Sequence, residues 1–282
     1  MALIPNNGWE SGDAGGWTFV AGSFGGSVSV LAASARSRLY GLQIVHNFAG
    51  SQSYAYYEFP GYASLVGYTV EFTVWARQDS GTFGDIRIDD GVGTTIETIA
   101  GTGAFASYTV TRTIQAGATR LRFLVTGTSA GVNATISVDD MCVNVKDAGG
   151  NIVFGCDLAW GDGGGDGDNR CVYGVEVDWD NDGVWTESGN AITTDVKGMA
   201  WERGVESELE RIGTGTLELT VMNAAGKYSP ENAASALYPN VLPGRPIRVR
   251  AIYNGTVYTK FTGYIEKITP RPKSKEATIL CV

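Results

Sequence analysis

Nucleophilic catalysis by a serine or cysteine usually needs a histidine beside it, and this chain has one histidine. His46 lies in the apolar run Ile44-Val45-His46-Asn47-Phe48. A structural histidine is therefore expected, not a catalytic one. Paired carboxylates for glycoside hydrolysis leave no sequence signature. The acids of the first half, however, lie on strand faces and at chain ends, not in long loops. The expectation is a protein that is not an enzyme, with a glycan-active enzyme as an alternative.

Two sets of residues have types and spacing suited to binding. Asp178, Asp180 and Asp182, followed by Gly183, match the first half of a D-x-D-x-D-G calcium loop, in which alternate carboxylates converge and the glycine permits a sharp turn. The twelfth position of such a loop is Gly189 here, and Glu187 is a substitute ligand. The same stretch also reads as an acidic Asp-Gly hairpin turn between two strands. The second set is Glu71, Trp75, Arg77, Asp85 and Arg87, which alternate away from apolar neighbours, with Tyr54 and Tyr56 able to join them. A flat ring beside charged hydrogen-bonding groups makes a sugar platform. An interface covered by another subunit uses the same residue types.

Short strands must position these groups. From residue 9 to 146, runs with a period of two are separated by Gly-rich turns, and no helical period is evident. Val70, Phe72 and Val74 point one way; Ile86 and Ile88 repeat the pattern, as do Leu121, Phe123 and Val125. Ile136 and Val138 give way to Met141, Val143 and Val145, a change of parity that reads as a bulge at Asp139-Asp140. About eight short strands imply an antiparallel sandwich of the jelly-roll type. Residues 147–171 hold Gly161-Asp162-Gly163-Gly164-Gly165-Asp166-Gly167-Asp168 and are expected to form a linker. From Val172 a second β-pattern follows through Val175, Val177 and Trp179, Leu217 to Val221, Ile247 to Tyr253 and Val257 to Ile268, with a possible helical turn only at 205–211.

The 282 residues allow two domains, each with its own core. Net charge is −9, which argues against a nucleic-acid partner because phosphate neutralisation needs clustered Lys and Arg. Five Asp and one Arg between residues 147 and 170 supply −4 of that charge. No run approaches the roughly 20 apolar residues of a membrane span. The start, Met-Ala-Leu-Ile-Pro-Asn-Asn, lacks the pattern of a secretory signal. Cys142, Cys156, Cys171 and Cys281 form no C-x-x-C pair, so zinc and thioredoxin-like readings fail. Free packed thiols are expected, with a Cys156–Cys171 disulfide clasping the linker as the alternative.

Two resemblances sharpen this reading. Ile4-Pro5-Asn6-Asn7-Gly8-Trp9-Glu10-Ser11-Gly12 with Gly16-Trp17, and the closing Ile136-Ser137-Val138-Asp139-Asp140-Met141-Cys142-Val143, resemble the two ends of galactose-binding-like carbohydrate-binding modules. That resemblance implies a sandwich over residues 1–146. It also implies a structural calcium tying the first strand to the last through Glu10 and Asp140, against which two solvated acids stand as the alternative.

The second resemblance covers nearly all of residues 172–282. It runs through Val175-Glu176-Val177-Asp178-Trp179-Asp180-Asn181-Asp182-Gly183, Trp201-Glu202-Arg203-Gly204, Gly213-Thr214-Gly215-Thr216, Asn223-Ala224-Ala225-Gly226-Lys227-Tyr228-Ser229-Pro230, Pro243-Gly244-Arg245-Pro246-Ile247-Arg248-Val249 and Phe261-Thr262-Gly263-Tyr264-Ile265-Glu266. In this order they resemble bacteriophage tail-tip and minor tail proteins. The resemblance implies a small tail-hub-like β-barrel or β-sandwich in a symmetric homo-oligomeric assembly with other tail or baseplate proteins. The protein would then be a virion component assembled in the host cytoplasm, with the first domain facing a host-surface glycan or another subunit. A free lectin-like protein is the alternative.

Within this second domain, Arg245, Arg248 and Arg250 are expected to point outward as interface anchors. The last run, Ala277-Thr278-Ile279-Leu280-Cys281-Val282, reads as an open apolar edge that a neighbour or further chain would complete.

Overall fold

The computed structural model describes residues 9, 12, 14–23, 25–37, 39–47, 52–81, 84–100, 103–127, 133–156, 172–202, 215–253 and 256–282. Among these the chain is all-β, and its only helical segments are three 3-10 turns at Ala32–Ser34, Tyr62–Leu65 and Thr193–Asp195. No helix among them is long and apolar enough to cross a membrane. Two compact units form. One comprises Met1–Val145, Gly155–Val172 and Ile252–Val257; the other comprises Lys146–Phe154, Tyr173–Ala251 and Tyr258–Val282.

The strands of the first unit are β1 (Thr18–Val20), β2 (Ser27–Leu31), β3 (Gly41–His46), β4 (Ser53–Glu58), β5 (Thr69–Ser80), β6 (Gly84–Asp89), β7 (Thr94–Ile99), β8 (Ala106–Thr113), β9 (Arg122–Gly127) and β10 (Ala134–Lys146). They form two sheets, one in the order β1-β4-β9-β6-β7 and the other along the path β2-β3-β10-β5-β8. Period-two alternation explains the packing. Val70, Phe72 and Val74 from one sheet and Ile86, Ile88, Phe123 and Val125 from the other are at most 1% exposed. Phe72 meets Phe123 with ring centroids 5.3 Å apart. The parity change falls where the sequence placed it. Val138 and Met141 are both buried, and between them Asp140 adopts a left-handed φ of 45°. At the N-terminal end, Trp9 is fully buried and packs on Trp17 at 5.2 Å and on Phe19 at 5.8 Å. His46 is 4% exposed in the core, the structural role expected of it.

The second unit contains β11 (Ile152–Gly155), β12 (Val172–Val177), β13 (Val196–Glu202), β14 (Thr216–Met222), β15 (Pro246–Tyr253), β16 (Thr256–Arg271) and β17 (Glu276–Cys281). Six of these make one sheet in the order β12-β15-β16-β17-β14-β13. One face carries Val175, Val177, Ile247, Val249, Ile265, Ile279, Leu219 and Val221. Trp179, Ile192, Tyr228, Leu237 and Val241, all from loops, close the core over it.

Three sequence expectations need correction here. The last run is not an edge: β17 lies between β16 and β14, with Ile279 opposite both Ile268 and Leu219, so its ladder groups have partners on both sides. The linker does not begin at Asp147. Asp147 is 2% exposed, and its carboxylate accepts the N–H groups of Gly149 (2.9 Å), Asn151 (2.9 Å), Gly189 (3.1 Å) and Ala191 (3.2 Å). Buried β11 follows it, so residues 147–155 are part of a folded unit. The Gly/Asp run 161–168 and the 205–211 stretch lie outside the described residues. Finally, Cys142 and Cys156 form a disulfide, so they are neither free thiols nor a Cys156–Cys171 pair. Cys281 is free and buried, and burial pushes its thiol up to about 12. Cys171 lies outside the described residues.

Asp90, directly after β6, is fully buried and accepts N–H groups from Val92 (3.0 Å), Gly93 (2.9 Å) and Gln115 (3.2 Å) as well as the Arg112 guanidinium at 2.8 Å. Burial alone would raise its carboxyl. The Arg112 bond and the three N–H donors outweigh that and bring it from an ordinary 3.8 to about 2. A depressed carboxyl contributes stability that is fully present above the unfolded value and is lost as pH falls through the folded one. Urea unfolding of the first unit should therefore lose an increment of roughly 2 kcal/mol between about pH 4 and about pH 2. Asp90→Asn should be less stable at neutral pH and lack that increment. Parallel acid profiles for the two proteins would contradict the assignment.

Candidate functional site

On β4, Ala55 and Phe59 point into the sandwich, so Tyr54, Tyr56 and Glu58 point out. The register of β4 with β9, of β9 with β6 and of β6 with β7 then builds rows across the outer face. Tyr54 stands opposite Thr126, which stands opposite Asp85, then Thr98; Tyr56 leads to Leu124, Arg87 and Ile96; Glu58 leads to Arg122, Asp89 and Thr94. The floor is polar and fixed. Arg87 grips Asp85 with Nε at 2.5 Å and with a second guanidinium nitrogen at 2.8 Å, and the Thr126 hydroxyl donates to Asp85 at 2.7 Å. Asp85 is 5% and Thr126 1% exposed, although both are on the outward side.

The rings of Tyr54 and Tyr56 lie 6.1 Å apart at 34°, and the Arg122 guanidinium sits 4.8 Å over Tyr56 while its Nε holds Glu58 at 2.7 Å. The Asp85 hydrogen bond raises Arg87, and the Glu58 hydrogen bond raises Arg122, so both remain cations. Arg120 pairs with Asp89 at 2.9 Å. Aromatic rings beside hydrogen-bonding groups held in place can receive the apolar face and the hydroxyls of a sugar.

The other three residues of the expected platform are elsewhere. Glu71, Trp75 and Arg77 project from β5, which belongs to the second sheet, so the seven residues divide between two opposite faces. Alternation tells which side of a strand is outward, but not which sheet the strand joins. Trp75 is also covered: the Arg36 guanidinium stacks 3.6 Å from its ring centre. Arg77 binds Asp79 at 2.7 Å and the Ala33 carbonyl at 2.8 Å, and Glu71 accepts a bond from Asn144 at 3.3 Å. Sequence reasoning missed Arg122 and Thr126. The alternation Arg122-Phe123-Leu124-Val125-Thr126 carries their signal, but their placement beside Tyr54 and Tyr56 depends on a pairing between distant strands.

Of the metal candidates, Asp140 is engaged otherwise. Its carboxylate forms an ion pair with Arg36 and accepts the Ser37 hydroxyl at 2.7 Å, while the neighbouring Asp139 accepts the Arg36 and Ser37 N–H groups at 2.8 and 2.9 Å. Glu10, the other ligand the resemblance implied, lies outside the described residues.

Asp178, Asp180 and Asp182 do converge, with one carboxylate oxygen from each within 4.8 Å of the others. Asp178 is buried and accepts the N–H groups of Asn181 (2.8 Å), Asp182 (3.3 Å) and Gly183 (2.9 Å). Desolvation first, then the charges of Asp180 and Asp182, push the Glu187 carboxyl up. An all-oxygen set of this kind fits calcium. The chain does not form a two-strand hairpin here. It runs through an irregular loop that returns to β12 at the Glu176–Ala191 bridge.

The expected interface arginines turn inward. Glu176, fully buried, receives Arg248 Nε at 3.0 Å and Arg250 Nε at 2.8 Å. Arg248 stacks over Trp185 at 4.2 Å, Arg250 lies over Phe154 at 5.0 Å, and Arg245 binds the Asn240 carbonyl at 3.1 Å. Glu176 is the acceptor that strand alternation alone did not reveal.

No family model and no curated protein matches the sequence. Among solved structures the chain matches a family 16 carbohydrate-binding module at 18% identity, covering 50% of this chain and 98% of that one with a TM-score of 0.40. It matches a family 22 xylan-binding domain from Paenibacillus barcinonensis at 16% identity, 51% and 94% coverage and a TM-score of 0.38. It also matches the enzymatically active domain of tailspike protein 4 of bacteriophage CBA120 at 13% identity, covering 51% of this chain and 21% of that chain, with a TM-score of 0.41.

Two outcomes follow from these clusters. Glu176→Ala leaves two guanidiniums in the interior without their carboxylate, which should destabilise the second unit by about 3–5 kcal/mol in denaturant melts; an unchanged midpoint would show the triad to be dispensable. Calcium added to chelator-treated protein should raise the stability of the second unit, by about 2.7 kcal/mol at a hundredfold excess over the dissociation constant. Asp182→Asn should abolish the response, and a melting temperature indifferent to calcium would remove the ion from this loop.

Proposed function

We propose that the chain is a non-catalytic glycan-binding protein whose first unit takes an oligosaccharide on the outer face of β4, β9, β6 and β7. The observation that carries this reading is the neighbourhood of Tyr54 and Tyr56 with the fixed groups Arg122, Arg87 and Asp85 on the outward side of one sheet. Rings supply apolar area at low conformational cost, and the guanidinium forks orient hydroxyls. The sequence resemblance of residues 172–282 to bacteriophage tail-tip proteins supports a setting for it, a tail tip or baseplate in which the second unit docks to other tail proteins. Calcium, if bound, acts structurally through Asp178, Asp180, Asp182 and Glu187.

A glycan array probed with the full chain should return specific binders. Calorimetry on the best of them should then show Tyr56→Ala weakening affinity roughly tenfold or more, equivalent to about 1.4 kcal/mol. Trp75→Ala, on the opposite face, should leave affinity unchanged. The reverse pattern would move the site to the other sheet, and no binder at all would remove the glycan reading. Mass spectrometry of purified particles separates a tail component, present at a fixed copy number, from a free lectin, which is absent.

A further inference from the structure

Exposed sheet edges carry unpaired backbone groups, and proteins normally shorten, bulge, charge or cover them. Among the described residues, four of the six strands that end a sheet path are treated in that way. β1 has three residues. β7 carries the exposed charge of Glu97. The free side of β12 is covered by the returning loop, through Val177 N–H to the Asn190 carbonyl at 2.9 Å and Ile192 N–H to the Val175 carbonyl at 3.0 Å. β13 has a register shift at Val196–Gly198 and the charge of Lys197.

Among the described residues β2 and β8 have none of these devices, and β8 is the longer of the two. It runs eight residues, Ala106–Thr113, with no proline, glycine or acid, and has a ladder neighbour on one side only, β5. Its single charge, Arg112, is turned away to Asp90 at 2.8 Å, with its side chain 11% exposed. Ser107, Thr109, Thr111 and Thr113 stand exposed on the outer face, and the hydroxyls of Thr109 and Thr113 already meet those of Thr73 and Thr69 at 2.9 and 3.0 Å.

We infer that β8 pairs antiparallel with β8 of a second copy of this chain, joining two sheets into one across a two-fold axis at Val110. This register is self-complementary, as a closed symmetric contact must be. Thr109 falls opposite Thr111 of the second copy and Ser107 opposite Thr113, so hydroxyl meets hydroxyl on the outer face and Val110 meets Val110 on the inner. Two chains of net charge −9 repel each other over most of their surface. A long strand edge whose single charge is paired with a buried acid is where that repulsion is least and where the backbone gains most from association. The axis runs normal to the joined sheet, so the outer faces bearing Tyr54 and Tyr56 in the two copies point the same way. That last consequence rests on the glycan reading; the pairing does not.

Sedimentation velocity on the full chain should give a particle of twice 29.9 kDa. Thr109→Lys with Thr111→Lys changes only exposed side chains and should yield a monomer with an unaltered circular dichroism spectrum and unaltered glycan affinity per chain. A monomeric wild type at every concentration overturns the proposal, and so does a dimer that survives both lysines, which would place the contact elsewhere. Hydrogen exchange of the wild type gives a second reading that needs no variant. Amides of 106–113 that are protected when concentrated and exchange on dilution support the pairing, and protection independent of concentration overturns it.

Discussion

A loop that closes over a β-core takes backbone N–H groups out of water where no ladder partner exists, and each must find an acceptor. In this chain the acceptor is repeatedly a buried aspartate, after a strand in three cases and within one in a fourth. Asp90, after β6, holds Val92, Gly93 and Gln115. Asp139, in the middle of β10, holds Arg36 and Ser37 from the loop before β3. Asp147, after β10, gathers its own turn together with Gly189 and Ala191, and Asp178, after β12, accepts the three consecutive N–H groups of Asn181, Asp182 and Gly183. Charge-assisted bonds of this kind are stronger than neutral ones, so a few carboxylates fix long loops in a chain with almost no helix. Part of the acidity is therefore structural and directed inward, which is a different cause from a surface built to repel nucleic acid.

Whether a cation joins the N–H donors separates Asp90 from Asp139. Arg112 beside Asp90 brings that carboxyl down, whereas Asp139, whose neighbour Arg36 is claimed by Asp140, is raised by burial in spite of its donors. Protonation of Asp139 thus costs the folded state little, while protonation of Asp90 removes a bound charge pair. Glu176 takes a third course, with two guanidiniums on one carboxylate, and so ties β12 to β15 at the place where the sheet has its edge. Surface pairs such as Arg122–Glu58 contribute far less to stability, because solvent screens them; their role is to hold geometry on the face.

Period-two alternation made the interior legible: the residues read as inward on β5, β6, β9 and β10 are buried, and even the parity change at Asp139-Asp140 was readable. What alternation does not encode is pairing. It could not assign β5 and β6 to different sheets, so Trp75 and Tyr54 looked like members of one platform. It could not place the last strand between β14 and β16, because an apolar run at the end of a sequence looks the same in the middle of a sheet as at its edge. The surroundings of the acids are hidden for a related reason. Asp140 and Asp178 both lie in Asp-rich stretches, and the fold brings a guanidinium to the first and two further carboxylates to the second.

The same accounting of charge describes the outer face of the first sheet. Its three arginines each have an acid on that same face: Arg87 has Asp85, Arg122 has Glu58 and Arg120 has Asp89. A face so paired has little net field with which to draw an ion from a distance, yet it keeps guanidinium forks and carboxylate oxygens in set directions beside two rings. Steering by charge and recognition by shape are separable, and this surface is equipped for the second. An anionic ligand would have to compete with Asp85 for an arginine already held by two bonds, whereas a neutral chain of hydroxyls needs only the directions left open by the existing pairs. The face therefore suits a ligand that is apolar on one side, rich in hydroxyls at its rim and without charge.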